Sequence, residues 1–385
     1  MVVGLAYISI RMPINISQRM MQKLQLAISL KALFRRLIIK HQFKKYKPLM
    51  KNGLWRVNNK YASRVGSKHG DFKNYSQIVE NQSSSYSKRF KNILTFVLGL
   101  NHMFVTGGKK EESASVIYLS RTSELKFFDY QKKRVLTETS NEAWSLYKDK
   151  LSLPIFDFFH RPDAILRCKS FGLFRQDQLL QSPTLGIFQK DDQIKEVKRI
   201  FDIYKHYIKE QKEPPKPEII LLCFHEVAQL LPQKIRSVYL SRQKEVEDLA
   251  QRYFFVKAHG DFNVANILVD ENIWLLDNDD VGMSAPSMFD LYNLGLNELF
   301  ENRSTHILRS IDSGELAEAL QQIIPIAVEK PEPSDVRVAL FVNYFMRESA
   351  LISGQILGRV SSNRAIKNWN LFNDSFSWWM DPCLK

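Results

Sequence analysis

The sequence has 385 residues, 44% hydrophobic and 25% charged, a composition typical of a globular protein with room for two or three domains. Its three cysteines are scattered, which excludes a disulfide framework or a CxxC zinc site and favours a reducing compartment. The longest uncharged stretch, residues 92–108, contains three glycines and is shorter than the ~18–20 apolar residues of a membrane-spanning helix. We therefore predict no transmembrane span and interpret this stretch as a buried strand or helix.

The positive charge is concentrated at the N-terminus. Residues 1–70 contain 15 Lys or Arg and no Asp or Glu, whereas the remainder holds 40 basic and 41 acidic residues. Within residues 17–51, apolar side chains recur at helical spacing between basic ones, which predicts a basic amphipathic helix. Three interpretations stay open: a helix packed on the body, one lying on an anionic membrane surface, and an organellar targeting segment. Binding to nucleic acid is the least favoured.

A polar stretch at residues 80–92 has the composition of a linker. Three short runs rich in β-branched and aromatic residues follow at residues 116–120, 125–130 and 135–139. Short polar turns separate these runs, so the pattern predicts an antiparallel meander.

Helical patterns dominate the rest of the chain. Residues 141–151 are predicted to form a helix capped by Ser140 or Asn141. A longer helix begins near residue 191 and ends before a proline-rich connector, and residues 221–253 form a second helical region. The predicted fold class is therefore α+β, with a small β-rich lobe before a larger helical lobe.

We predict three segments from these patterns. Residues 1–90 form a basic, partly amphipathic-helical arm and linker. Residues 91–172 form the β-rich lobe, and residues 173–385 form the helical lobe.

Residues 256–280 hold five aspartates among apolar runs, with the polar side chains at the ends of three predicted short strands. Asp261 and Asn266 are five residues apart across a loop, and Asp277 ends the third run. Burial of a carboxylate is costly unless a cation or several hydrogen-bond donors compensate. The stretch therefore predicts a site that binds metal or transfers protons.

The motif HGDxxxxN, from His259 to Asn266, followed by Asp277, resembles the catalytic and metal-binding segments of kinase-fold phosphotransferases. Glycine at its second position is similar to the aminoglycoside phosphotransferase and choline kinase branch. Asp290, in "APSMFDLYNLG", matches a structural aspartate of that branch. The resemblance covers residues 254–295 and implies a two-lobed, protein-kinase-like fold. It also implies that residues 91–172 are the nucleotide-binding lobe and residues 173–385 the catalytic and acceptor-binding lobe.

The resemblance also implies roles for individual residues. Asp261 orients the acceptor hydroxyl and accepts its proton, while His259 packs and hydrogen-bonds within the same catalytic motif. Asn266 and Asp277 hold Mg²⁺, a hard cation that prefers oxygen ligands. Asp290 is structural.

The nucleotide-binding lobe departs from the family's pattern. A kinase-type lobe places a lysine on a strand and a glutamate on a helix, and Lys126 with Glu142 is our candidate pair. Lys133 is the rival lysine, and the third strand of the meander contains no internal lysine at all. No glycine-rich loop is present, and the candidate phosphate-capping residues in its place are Ser120, Thr122 and Ser123.

These observations predict an ATP-dependent phosphotransferase that transfers the γ-phosphate to a hydroxyl of a small-molecule, sugar or lipid-linked acceptor. The expected cofactors are ATP and Mg²⁺, and the expected partners are nucleotide and acceptor, with an anionic membrane surface open for residues 17–51. We expect a cytoplasmic location, with peripheral membrane attachment and organellar targeting as open alternatives. Two other functions stay open: a catalytically inactive kinase-like scaffold, and a membrane or nucleic-acid adaptor acting through the basic arm.

Overall fold

The structure, a computed structural model, describes residues 45–57, 61–64, 102–106, 114–119, 125–169, 172–180, 182–278, 281–353 and 362–375. Contacts divide the chain into two compact units. The described residues up to 132 belong to the first unit, and those from 133 onward belong to the second.

The described part of the first unit is a sheet of antiparallel strands in the order β3-β1-β2-β4-β5. These strands are β1 (Gly53–Val57), β2 (Tyr61–Arg64), β3 (His102–Val105), β4 (Val116–Leu119) and β5 (Leu125–Asp129). Ile117 pairs with Phe127 across β4 and β5, and both side chains are buried. The first two strands of the predicted meander are thus confirmed.

Residues 45–57 and 61–64, which we predicted as part of the arm, belong to this sheet and its core. Trp55 is 0% exposed and donates a hydrogen bond from Nε1 to the carbonyl of Lys51 at 3.0 Å. Leu49 and Met50 are also buried. The basic composition of the region concealed short apolar strands within the predicted arm of residues 1–90.

Other parts of that prediction lie outside the described residues. They are residues 1–44, which include most of the predicted amphipathic helix, and the predicted linker at residues 80–92.

The second unit opens with strands and one helix. These elements are β6 (Arg134–Glu138), α1 (Asn141–Leu151), β7 (Ala164–Lys169) and β8 (Gly172–Gln178), with the strands in the antiparallel order β6-β8-β7. The predicted third meander strand and the predicted helix are confirmed, and the Ser140 hydroxyl caps the helix by accepting from the Ala143 N–H at 3.1 Å. Strands β7 and β8 were not predicted. The predicted boundary between residues 172 and 173 cuts β8, whereas the division between the two units falls at residue 132.

Helices form most of the remainder of the second unit. They are α2 (Lys190–Gln211), α3 (Pro217–Leu230), α4 (Gln233–Leu240), α5 (Gln243–Ala250), α6 (Phe289–Asn297), α7 (His306–Ser313), α8 (Glu315–Ala327), α9 (Asp335–Ser353) and α10 (Ser362–Ser375). Helix α2 ends before the Pro214–Pro215 pair, as predicted, because proline cannot continue a helix. The helical region predicted at residues 221–253 divides into α3, α4 and α5.

Two strand pairs carry the polar motif of residues 256–280. Strand β9 (Phe255–Ala258) pairs with β12 (Met283–Pro286), and β10 (Ile267–Val269) pairs with β11 (Ile273–Leu275), both antiparallel. The three predicted short strands are confirmed, and β12 was not predicted. The predicted α+β class, with antiparallel strands preceding a helical C-terminal part, is likewise confirmed. None of the described helices is long and apolar enough to cross a bilayer.

Replacement of Trp55 by Ala tests whether this N-terminal segment belongs to the core. We expect a loss of about 3–5 kcal/mol in the free energy of unfolding, because a large buried side chain is removed. Leu54→Ala, at the neighbouring position that is 43% exposed, is the matched control and should cost less than about 1 kcal/mol. Denaturant unfolding followed by circular dichroism measures both, and equal effects would contradict the placement of this strand.

Candidate active site

The HGD segment follows directly from β9, which ends at Ala258. His259 is fully buried, whereas Asp261 is half-buried and reaches solvent. Gly260 has a φ of 87°, a backbone conformation in which other residues are strained. The positive φ at the second position of the motif therefore favours glycine there.

The Asp290 carboxylate, near the start of α6, holds this segment. Oδ2 accepts from the His259 N–H at 2.7 Å and from the Tyr204 hydroxyl at 2.8 Å, while Oδ1 accepts from the Gly260 N–H at 3.0 Å. Burial raises the pKa of Asp290, and His259 together with these donors opposes that effect. This buried carboxylate with its three donors, which we call the Asp290 clamp, fixes the backbone that leads into Asp261.

Two amide side chains orient Asp261. Oδ1 accepts from Asn263 Nδ2 at 2.9 Å, and Oδ2 accepts from Asn266 Nδ2 at 2.8 Å. Asn263 is itself fixed, since its Oδ1 accepts from the N–H groups of Ala265 and Asn266. Asn266 makes these side-chain hydrogen bonds through Nδ2, so its side-chain oxygen Oδ1 takes no part in them.

The β10–β11 hairpin brings the two predicted metal ligands to one end. The Leu276 N–H donates to the carbonyl of Asn266 at 2.8 Å, and Asp277 is the next residue. The side chain of Asp277 is exposed, and its backbone adopts a left-handed conformation with a φ of 56°. Such conformations are costly for residues other than glycine and are concentrated at functional sites.

The donor set at this end fits Mg²⁺. Within the part of the chain that the structure describes, no group of three or more His, Cys, Asp or Glu side chains forms a metal site. Mg²⁺ is usually bound by one or two protein oxygens together with water and substrate phosphates rather than by a complete protein cage. The amide oxygen of Asn266 and the carboxylate of Asp277 supply oxygens of the required kind.

His259 connects the HGD segment to the residue beside Asp277. Its Nε2 lies 3.0 Å from Oδ1 of Asn278, and both side chains are buried. Because an amide oxygen can only accept, Nε2 carries the hydrogen in this bond. A buried imidazole engaged in this way positions the two segments relative to each other.

Two asparagines of α6 that were not among the predicted site residues bind the same loop. Asn293 Nδ2 donates to the carbonyl of Gly260 at 3.3 Å, and Asn297 Nδ2 donates to the carbonyl of Phe262 at 3.1 Å. Together with Asp290 they occupy positions i, i+3 and i+7, which lie on one helical face. This spacing is visible in the sequence and indicates one polar face of the helix.

A buried charge pair on α9 supports Asn297. Arg347 donates from Nη2 to Oδ1 of Asn297 and from Nη1 to Oε1 of Glu348, each at 2.8 Å. Asn368 donates to the same carboxylate at 3.0 Å. Burial raises the pKa of Glu348, and Arg347 and Asn368 oppose it. No sequence signal pointed to this network, because its members are separated by up to about 70 residues.

The predicted nucleotide-binding residues fall in both units. Lys126 is half-buried on β5 of the first unit and pairs in register with Tyr118. Glu142 is exposed in the first turn of α1 in the second unit, where hydrogen bonds from its backbone N–H and from Ser140 lower its pKa. The rival Lys133 lies in the exposed turn before β6. The Lys126–Glu142 pair stays a prediction.

The three candidate phosphate-capping residues, Ser120, Thr122 and Ser123, lie outside the described residues.

No protein-family model matches the sequence, and no curated protein matches it. Among solved structures, the chain is similar to choline kinase LicA from Streptococcus pneumoniae, with 13% identity, 66% of this chain and 89% of that chain covered, and a TM-score of 0.42. It is similar to a choline/ethanolamine kinase family protein from Mesorhizobium loti at 11% identity, with coverage of 67% and 86% and a TM-score of 0.43.

A third similar structure is aminoglycoside phosphotransferase APH(3'')-Id from Streptomyces rimosus in complex with ADP and streptomycin. The identity is 14%, the coverage is 66% of this chain and 97% of that chain, and the TM-score is 0.37. These structures come from the branch that the HGD motif resembles.

Replacement of Asp290 by Ala should destabilise the protein by roughly 3 kcal/mol or more, because it leaves the N–H groups of His259 and Gly260 and the Tyr204 hydroxyl buried without an acceptor. Tyr204→Phe removes one donor and should cost about 1 kcal/mol. Asp202→Ala, at an exposed position on α2, is the control and should change stability by less than about 0.5 kcal/mol. Urea unfolding measures all three, and an Asp290→Ala protein as stable as the control would contradict the clamp.

Proposed function

We propose that the protein is an ATP- and Mg²⁺-dependent phosphotransferase that transfers the γ-phosphate to a hydroxyl of a small-molecule, sugar or lipid-linked acceptor. The observation that carries the proposal is the fixed arrangement of Asp261, Asn266 and Asp277. Amides hold both oxygens of Asp261, and the β10–β11 hairpin brings Asn266 next to the residue that precedes Asp277.

Asp261 supplies the base. Its half-buried carboxylate is oriented by Asn263 and Asn266, so an acceptor hydroxyl that enters the site can donate its hydrogen bond to a fixed oxygen. As the new oxygen–phosphorus bond forms and the bond to the leaving ADP breaks, the hydroxyl proton passes to Asp261. The clamp by Asp290 keeps the loop from moving during this step.

Asn266 and Asp277 would hold Mg²⁺ through their oxygens, and the ion would neutralise charge on the donor phosphates. The chain's own contribution is the position of these two groups. The hairpin hydrogen bond from Leu276 to Asn266 sets their spacing, and the His259–Asn278 contact anchors the backbone after Asp277.

Asp277→Ala tests the nucleotide site through thermal stability with and without Mg²⁺-ATP. A ligand at about 100 times its dissociation constant adds ~2.7 kcal/mol to the free energy of unfolding, so the wild-type melting temperature should rise with Mg²⁺-ATP. The variant should lose the Mg²⁺-dependent part of this rise, because one oxygen ligand is gone. Asp202→Ala, an exposed aspartate on α2, should keep it. A wild-type protein that shows no rise would contradict the proposal and favour an inactive scaffold.

Asp261→Asn tests the chemical step separately. The variant should retain the Mg²⁺-ATP melting shift but lose at least ~100-fold in transfer rate, because an amide cannot accept the proton. The assay measures ADP release with a panel of amino alcohols, amino sugars and aminoglycosides as acceptors. Undiminished transfer by the variant would exclude Asp261 as the base.

For the basic arm we propose attachment to an anionic membrane surface. Within residues 17–51, apolar side chains recur at helical spacing between basic ones. Residues 45–51 lie in the first unit, where Leu49 and Met50 are buried, so residues 1–44, with eight Lys or Arg and no acid, are the segment that would contact the membrane. Lys and Arg near an anionic bilayer each contribute about 1 kcal/mol, an attraction that salt weakens.

Reversal of two charges tests this attachment. The double variant Arg35→Glu and Arg36→Glu should bind less to vesicles that contain phosphatidylserine, with no change on neutral phosphatidylcholine vesicles. Cosedimentation at low and high salt measures binding. Equal binding by the variant, or preferential binding of duplex DNA by the wild type, would contradict a membrane role.

A further inference from the structure

The strand that precedes α1 carries no lysine. Strand β6 reads Arg-Val-Leu-Thr-Glu from Arg134 to Glu138. Side chains alternate between the two faces of a sheet, so Val135 and Thr137 share one face and Leu136 lies on the other. Any cation on the face of Thr137 is therefore supplied by a neighbouring strand.

Arg175 on β8 occupies that face. It pairs with Thr137 in the register of β6 and β8, and directly paired residues point to the same side of a sheet. Its guanidinium lies 3.9 Å from the centre of the Tyr147 ring on α1, so α1 covers this face. The Arg175 side chain is only 13% exposed.

Asp177, two residues further along β8, fixes the guanidinium. Arg175 Nε donates to Oδ2 of Asp177 at 3.0 Å. The Asp177 carboxylate on one side and the Tyr147 ring on the other therefore set the plane of the Arg175 guanidinium. A guanidinium has five N–H donors in a rigid fork, and a pair through Nε keeps the terminal nitrogens in a defined direction.

Thr137 provides an independent observation at the same place. Thr137 is 3% exposed, and its Oγ1 has no hydrogen-bond partner within the described residues. Buried hydroxyls in native proteins are rarely left in this state. An oxygen-rich anion next to Arg175 would accept from the guanidinium and supply an acceptor for this hydroxyl.

We propose that Arg175 is the cation that contacts the phosphates of the donor nucleotide. It replaces the phosphate-binding lysine of a kinase-type lobe, which the strand before α1 lacks. The inference rests on the proposed phosphotransferase function and names a residue for its donor site. Asp177 and Tyr147 act as positioning residues for the guanidinium. The predicted Lys126 is the competing cation.

The test compares affinity for Mg²⁺-ATP with affinity for adenosine, which has no phosphates. Arg175→Gln should weaken Mg²⁺-ATP binding roughly tenfold or more and leave adenosine binding unchanged, because a charge-assisted contact is lost only where a phosphate is present. Arg175→Lys should restore part of the affinity. Arg167→Gln is the matched control, since Arg167 is exposed on β7 and pairs with Phe174, whose position lies on the opposite face. Titration calorimetry measures both ligands.

Each contrary outcome has a separate meaning. Equal weakening of Mg²⁺-ATP and adenosine by Arg175→Gln would show that Arg175 only supports the fold, and the inference would be wrong. Unchanged Mg²⁺-ATP binding, with a loss confined to Lys126→Gln, would assign the cation to Lys126 instead. A wild-type protein that binds neither ligand would refute the phosphotransferase function itself, and with it this inference.

Discussion

The Asp290 carboxylate accepts three hydrogen bonds in a place that water does not reach, from the backbone of His259 and Gly260 and from the Tyr204 hydroxyl. A buried carboxylate is expensive, and its cost is compensated only while all three donors stay in position. The HGD loop and α6 are therefore fixed to each other. Because Asp261 follows Gly260 directly, the orientation of the candidate base depends on this one buried group.

Around the clamp, polar side chains support the loop in layers. Asn293 and Asn297 bind its carbonyl oxygens, and the Arg347–Glu348 pair holds Asn297 in turn. Removal of one partner from a buried charge pair leaves the other charge uncompensated, so such a network resists rearrangement. The consequence for function is that the loop of the half-buried Asp261 is held by groups that are themselves hydrogen-bonded to other parts of the fold. Transfer of a phosphoryl group depends mainly on positioning and charge neutralisation, which this arrangement suits.

The proposed donor side of the site is built differently. The strand before α1 carries Thr137 where the register places Arg175 opposite, and the arginine is held by Asp177 and Tyr147. In a kinase-type lobe a lysine paired with a glutamate performs this duty. An arginine on the adjacent strand, paired with an aspartate two residues away, offers the same combination of a cation and an orienting carboxylate. The kinase-type arrangement and the proposed arrangement differ in which strand carries the cation.

The secondary structure around the site and the identity of the motif residues could be predicted from local sequence patterns. The helical spacing of α2, the capping serine of α1 and the three short apolar strands from residue 255 to 275 depend on neighbouring residues, so they could be predicted. The glycine of HGD and the face shared by Asp290, Asn293 and Asn297 were equally present in the local pattern. What the tertiary structure alone decided is which distant side chains meet.

Arg347 contacts Asn297, and the register of β6 and β8 places Arg175 opposite Thr137. Trp55 pairs with Met103 in the first sheet. Each of these contacts joins segments far apart in sequence. These contacts depend on long-range packing, which no local periodicity encodes.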